Sequence, residues 1–277
     1  MSIATPDHRV FVVMPAHNAA RTLEDTVGAI PREWVDELVL VDDSSTDDTI
    51  AVAERLGITT VWHPHNAGYG ANQKTCYLHA LQQGADVVVM LHPDGQYAPD
   101  LIPSMVRPIV DGEADLVLGS RFLPDGQSAL DGGMPRYKWW ANRGLTTIQN
   151  RMMGTDLAEC HTGYRAYSRR LLMELPWLRN SIGFSFDSEL LYQAAHLGFP
   201  IAEVPCRTRY FDDASSIKLR PASIYAVKTL WAGVRLWLHR LRIVRDARFT
   251  PPTLSAGARG TAVDTIGDGR ATADTRR

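Results

Sequence analysis

The run Val39-Leu40-Val41-Asp42-Asp43-Ser44-Ser45-Thr46-Asp47-Asp48-Thr49 limits what this chain can fold into more than any other stretch. An apolar strand stops at two carboxylates, and a Ser/Thr/Asp cluster then opens a helix. Ser45 and Asp48 have the spacing of a capping box. A strand that passes into acids and then a helix sets those acids at the carboxyl edge of a parallel sheet, where open α/β sheets bind ligands. Carboxylates accept hydrogen bonds from hydroxyls and ring N–H groups and repel bare phosphates. Asp42 and Asp43 therefore suit the base and ribose of a nucleotide; the alternative is a capped surface turn that binds nothing.

The neighbouring pattern repeats that unit. Residues 10–14, 37–41, 59–62, 87–91 and 115–118 read as short buried strands. Residues 21–30, 49–56, 71–83 and 99–110 between them have helical spacing, with 63–70 a loop feeding the third, and Gly57 sits where a C-cap glycine belongs. Strict alternation implies a parallel sheet with helices on both faces. Past Arg121 the style changes. Residues 124–135 are Gly/Asp-rich and read as a mobile, lid-like loop. A helix over 137–153, a polar loop over 156–165, a helix over 185–196 and a strand over 201–204 follow. The expected organisation is one α/β domain over residues 1–220, a basic amphipathic helix over 221–248 and a disordered tail over 249–277 with almost nothing to bury.

At 277 residues and 45% hydrophobic the chain can bury a full core, and a net charge of -2 argues against a general nucleic-acid binder. Cys76, Cys160 and Cys206 are odd in number and far apart, which fits neither a disulfide framework nor a zinc knuckle and points to a reducing cytosol. The first ten residues lack a signal-peptide core, and no apolar run is long enough to span a bilayer. A cytoplasmic protein is expected, with any membrane contact made from the surface. Oligomeric state is left open.

Four groups of polar residues fall just after strands or at helix entries: Asp42 with Asp43, Asn66 with Gly68 and Gly70, Asp94 with Gln96, and Arg121. In a parallel sheet they share one edge. Gly68 and Gly70 could bring backbone N–H groups to a phosphate, or simply make a turn. Asp94 at a strand end is a natural metal ligand, with His92 two residues before it. His63 and His65 have no further ligands at suitable spacing and read as loop residues.

In order along residues 9–213, these stretches resemble the inverting nucleotide-sugar glycosyltransferases of family 2, and within them the dolichol- or polyprenyl-phosphate mannosyltransferases. The stretches are Val13-Met14-Pro15-Ala16-His17-Asn18, Val41-Asp42-Asp43-Ser44-Ser45-Thr46-Asp47, Asn66-Ala67-Gly68-Tyr69-Gly70, His92-Pro93-Asp94-Gly95-Gln96 and Gly119-Ser120-Arg121-Phe122. Thr162-Gly163-Tyr164-Arg165 and Glu203-Val204-Pro205 complete the set. The resemblance implies a GT-A fold with a Rossmann-like, mostly parallel sheet. It also implies a UDP- or GDP-sugar donor, Mg²⁺ or Mn²⁺, and a lipid-phosphate or saccharide acceptor. By the same resemblance Pro15, His17, Asn18, Asp42, Asp43, Asn66 and Gly68 would line the donor pocket, Asp94 and Gln96 would hold the metal, and Arg121 would meet the acceptor phosphate.

The chain departs from the family pattern where His92 replaces the first metal-loop acid, where Lys138 and Asn142 replace Arg and Ser, and at Ile217, which has Lys218 beside it in place of a phosphate-binding lysine. Asp94 with the donor diphosphate can still complete an Mg²⁺ octahedron, and a neutral imidazole at His92 suits Mn²⁺ better. A non-catalytic partner subunit that binds nucleotide-sugar is the alternative that His92 raises. A receiver domain would place its acid pair after the first strand, and a nucleotidyltransferase would want a Gly-rich basic loop there; this chain has neither.

The reaction class is in-line displacement through an oxocarbenium-like transition state. A sugar hydroxyl acceptor needs a positioned base, which Asp187 or Glu189 at a helix start could supply. An ionised lipid phosphate needs cations instead, and Arg121, Lys138, Arg143, Arg165 and Lys218 are available for it. In the late helix Ile224, Val227, Trp231, Val234, Leu238 and Leu241 form a stripe beside Lys228, Arg235, His239 and Arg242. With Trp231 and Trp237 it suits peripheral contact at the inner face of the plasma membrane, or packing on the domain.

Overall fold

The computed structural model describes residues 7–123, 129–208 and 219–252, with side chains from residue 223 in the last segment. Seven strands form one sheet: β1 (Val10–Ala16), β2 (Glu37–Asp42), β3 (Thr59–Trp62), β4 (Val87–Met90), β5 (Leu116–Ser120), β6 (Arg165–Ser168) and β7 (Ile201–Pro205). Their order is β3-β2-β1-β4-β6-β5-β7. β1 pairs in parallel with β2 and β4, β2 with β3, and β5 with β7. The chain steps outward from β1 in both directions, so β1 and β4 flank the switch point at which such sheets open a ligand crevice.

The sheet is mostly parallel, as expected, and its antiparallel member is β6, which runs against both β4 and β5. Arg165-Ala166-Tyr167-Ser168 is too short to show alternation, and its first residue is an arginine, so only its place between two apolar strands makes it a strand. All four residues are buried.

The helices are α1 (Leu23–Gly28), α2 (Thr49–Arg55), α3 (Tyr69–Gln82), α4 (Ile102–Val110), α5 (Arg136–Met153), α6 (Arg169–Glu174), α7 (Phe186–His196) and α8 (Leu219–Arg240). Successive strand residues point to opposite faces, and both faces are covered. Phe11 and Val13 join Tyr77 of α3 and Leu190 and Leu191 of α7 in one core. Val10, Val12 and Met14 join Leu23 and Val27 of α1 and Met105 and Val106 of α4 in the other.

α8 packs on α5 and α7 through its small side. Thr229, Ala232, Gly233 and Leu236 are buried, and a Cβ at Gly233 would lie 2.6 Å from the Tyr192 hydroxyl. The apolar stripe faces away: Ile224, Val227 and Trp231 are 51%, 67% and 57% exposed. The helix stops at Arg240, short of the expected 248, in a turn where Arg242 takes φ +61°. Phe249, expected in a disordered tail, is buried on a short 3₁₀ turn capped by Asp246. Among the described residues no helix is long and apolar enough to cross a membrane.

Candidate active site

Three loops at the carboxyl edge build one wall. Asp42 ends β2 opposite Ala16 of β1, and its carboxylate turns back on the next loop, accepting Ser45 N at 2.9 Å and the Ser45 hydroxyl. The capping box is therefore not formed: Ser45 is held by Asp42, and the N-cap Asp48 makes no side-chain capping bond. Asp47 takes the capping role, accepting Thr49 N at 3.1 Å and Ala20 N at 3.1 Å. Asn18 sits at φ +55° and Ser44 at φ +61°, the left-handed region that Asn tolerates best. That turn lets Asn18 Oδ1 accept Thr46 N at 2.8 Å while Asn18 N donates to Ser45 Oγ at 2.8 Å. His17 Nδ1 lies 3.0 Å from the Asp43 carbonyl. Pro15 is buried inside β1 beside Val41.

Asp43 latches the third loop. Its Oδ1 accepts His63 Nδ1 at 2.8 Å and Ala67 N at 2.8 Å, and its Oδ2 accepts Gly68 N at 3.0 Å. Burial works against its charge, but His63 and the two backbone donors outweigh that and hold the carboxyl below the usual carboxylate range. Asn66 Nδ2 donates to the Asp43 carbonyl at 3.3 Å. Asp43 thus positions residues 63–68, and the His63 ring is part of that latch, with Nε2 2.9 Å from Thr75 Oγ1.

Gly68 and Gly70 do a different job from cradling a phosphate. Gly68 N is given to Asp43, and Gly70 N donates to the Ile182 carbonyl at 2.8 Å. A Cβ on Gly70 would stand 2.7 Å from Ser181 O, and one on Gly68 2.9 Å from Ile182 O. The glycines exist so that residues 181–182 can lie against the start of α3.

The β4 loop forms the opposite lip. Thr22 Oγ1 donates to the Pro93 carbonyl at 2.5 Å, tying it to the β1 loop. Asp94 Oδ1 accepts Gln96 N at 3.0 Å. Gly163 N donates to the Tyr97 hydroxyl at 2.9 Å, and a Cβ on Gly163 would stand 3.1 Å from the His92 ring. His92, Asp94 and Gln96 offer one imidazole, one carboxylate and one amide. Among the described residues no group of three or more His, Cys, Asp or Glu is placed to hold a metal. The donor set fits a divalent cation whose remaining positions are filled by a diphosphate and water.

Arg121 follows β5 directly and is clamped by Glu159, which is fully buried. Arg121 N donates to Glu159 Oε2 at 2.7 Å and Arg121 Nε to Oε1 at 2.8 Å. Glu203 in turn accepts Ala158 N at 2.6 Å and Glu159 N at 2.9 Å. Two residues beyond Glu159, His161 is neutral: burial, Arg121 and Arg165 pull its pKa down to about 3. Its Nδ1 lies 2.8 Å from the Tyr225 hydroxyl of α8. α5 reaches this corner through Trp139, edge-on to Phe122 at 6.2 Å; Lys138, the preceding residue of that helix, is half-buried. Arg143 is exposed and stacks over Trp139 at 5.0 Å.

Two expectations need correction. Arg165 is fully buried, and its guanidinium donates to the carbonyls of Thr162, Asp187 and Cys160; it braces the loop and does not face an acceptor. Asp187 and Glu189 are not presented as bases. Asp187 Oδ2 accepts the Tyr69 hydroxyl at 2.7 Å and Gln73 Nε2 at 3.4 Å. Glu189 accepts Ser181 N at 2.7 Å and pairs with Arg248 at 3.2 Å. Lys218 lies outside the described residues, as do 124–128 of the proposed lid.

Residues 11–175 match the model of glycosyl transferase family 2. The chain belongs to that family. This family 2 glycosyltransferase is 29% identical over 208 residues to a polyprenol monophosphomannose synthase of Mycolicibacterium smegmatis, covering 72% of this chain and 77% of that protein. It is 27% identical over 221 residues to a UDP-N-acetylglucosamine–dolichyl-phosphate N-acetylglucosaminyltransferase of Methanococcus voltae, covering 74% and 87%. A solved structure of glucosyl-3-phosphoglycerate synthase from Mycobacterium tuberculosis, in complex with Mn²⁺, UDP-glucose and phosphoglyceric acid, superposes with a TM-score of 0.64 at 22% identity, over 89% of this chain and 84% of that one. The GT-A architecture is shared.

Glu159, Tyr69 and His63 were not singled out for this transferase's site from the sequence. Glu159 could have been sought, because an arginine behind a strand end calls for a carboxylate. Nothing in the spacing marks Tyr69.

Proposed function

We propose that this chain transfers a hexose, with inversion, from a UDP- or GDP-sugar to a polyprenyl phosphate. The observation that carries the choice of acceptor is the enclosure of both acids that could act as a base. Asp187 lies against Tyr69 and Gln73, and Glu189 against Ser181 and Arg248. A hydroxyl acceptor needs a base within hydrogen-bond reach. An ionised phosphate needs only to be placed, and Arg121 stands directly after β5 for that role. The names of the two relatives, which act on polyprenol and dolichyl phosphate, support the same reading.

The β1, β2 and β3 loops would hold the nucleoside, with Asp42 facing its hydroxyls and Asp43 keeping Asn66 and Gly68 in position. Asp94, Gln96 and His92 would hold Mg²⁺ or Mn²⁺ at the diphosphate; the Mn²⁺ of the structural neighbour supports this. A bound cation there takes up charge growing on the leaving diphosphate. Arg121, fixed by Glu159, would orient the acceptor phosphate for in-line attack. The outward stripe of α8 would rest on the membrane in which the acceptor is dissolved.

The test is release of UDP or GDP from a panel of nucleotide sugars with Mn²⁺, using polyprenyl phosphate or a free sugar as acceptor. Turnover with the sugar and none with the lipid phosphate would overturn the reading.

A further inference from the structure

Tyr69, at the first position of α3, joins the β4 loop to α7. Its hydroxyl is 2.7 Å from Asp187 Oδ2 and 3.2 Å from His92 Nε2. A phenol has one proton, and a carboxylate can only accept. The proton therefore goes to Asp187, and the phenol oxygen accepts from His92, so His92 carries its hydrogen on Nε2. The rings of Tyr69 and His92 stack with centroids 5.5 Å apart, and Phe184 lies against the Tyr69 ring at 4.7 Å. A Cβ on Gly163 would stand 3.1 Å from His92 Cδ2 and Nε2, so the same edge of the imidazole is closely packed by backbone.

A metal-bound imidazole is neutral and ligates through whichever nitrogen is bare. With Nε2–H given to Tyr69, that nitrogen is Nδ1. Carboxylate-backed imidazoles are the usual device for setting the tautomer and raising the basicity of a histidine ligand; here a phenol stands between the two. Resting on the proposed metal site, we infer that Tyr69 and Asp187 are positioning residues which fix His92 as an Nδ1 ligand of the divalent cation. A nitrogen ligand where an acid would otherwise stand also turns the loop's preference from Mg²⁺ toward Mn²⁺, because imidazole suits the softer transition metals and carboxylate suits Mg²⁺.

The test is pulsed EPR of Mn²⁺ bound to the full chain with UDP and, separately, with GDP, alongside Mn²⁺ and Mg²⁺ titrations. Wild type should show nitrogen modulation from a directly bound imidazole, and His92→Asp should abolish it while shifting preference toward Mg²⁺. Tyr69→Phe should weaken Mn²⁺ binding about tenfold, and should leave it unchanged in a His92→Asp background. Bound Mn²⁺ without nitrogen modulation in wild type, or a Tyr69→Phe loss that persists with Asp at position 92, overturns the inference and leaves the transferase reading intact. If neither nucleotide brings Mn²⁺ to the protein and Asp94→Asn changes nothing, the proposed metal site falls with it.

Discussion

Glu159 holds Arg121 from two sides, accepting its backbone N–H on Oε2 at 2.7 Å and its Nε on Oε1 at 2.8 Å. The pair sits with 10% and 0% of the two side chains exposed. Removing one partner of a buried pair leaves an uncompensated charge and costs about 3–5 kcal/mol. Glu159→Ala should therefore lower unfolding stability by about that amount in urea denaturation, with Arg121 freed from its place. Glu159→Ala and wild type having equal midpoints would show that the clamp contributes nothing.

Asp43 gives a pH dependence with a definite sign. Its folded pKa lies below the ordinary carboxylate range, so its contribution is complete above that range. The contribution is lost as pH falls through the folded pKa, when the proton displaces His63, Ala67 and Gly68 as partners. The Tm gap between wild type and Asp43→Asn should be flat from neutral pH to about 5 and close progressively below about 4. A gap that widens on acidification would reverse the assignment.

Two glycines should respond in opposite directions. Gly70→Ala sets a Cβ 2.7 Å from backbone Ser181 O, and overpacking of that kind costs about 1–3 kcal/mol. Because the displaced segment abuts the third loop, nucleotide affinity should fall as well. Gly144, within α5, has nothing within 4 Å of its Cβ position, so Gly144→Ala should stabilise by about 0.5–1 kcal/mol. Thermal shifts of the two variants, with and without UDP or GDP, check both.

The outward stripe of α8 should matter for vesicles and not for folding. Trp231→Glu and Val227→Glu should each sharply reduce co-flotation with anionic vesicles while leaving Tm within about 1 °C, as expected for exposed sites. Gly233→Leu, on the packed side, should do the reverse: a Cβ there already meets the Tyr192 hydroxyl at 2.6 Å. If wild type itself stays with the unbound fraction on anionic vesicles, the stripe serves something other than a lipid surface.

Local order along the chain was enough to place Asp42, Asp94 and Arg121 at one edge. Each follows an apolar run whose end is visible in the residues themselves, and β1, β2 and β4 are adjacent and parallel. The family followed from the same ordered stretches. The antiparallel β6, the close packing at Gly68 and Gly70, and the partners of the charged residues came only with the tertiary structure. Tyr69 and Asp187 are 118 residues apart, and Arg121 and Glu159 are 38 apart. A pattern of apolar and polar residues reports which face of an element is covered. It carries no information about which buried donor meets which buried acceptor, because that depends on how elements distant in sequence pack. For that reason Arg165 and Asp187 looked like groups offered to a ligand, and the fold uses both to hold its own loops.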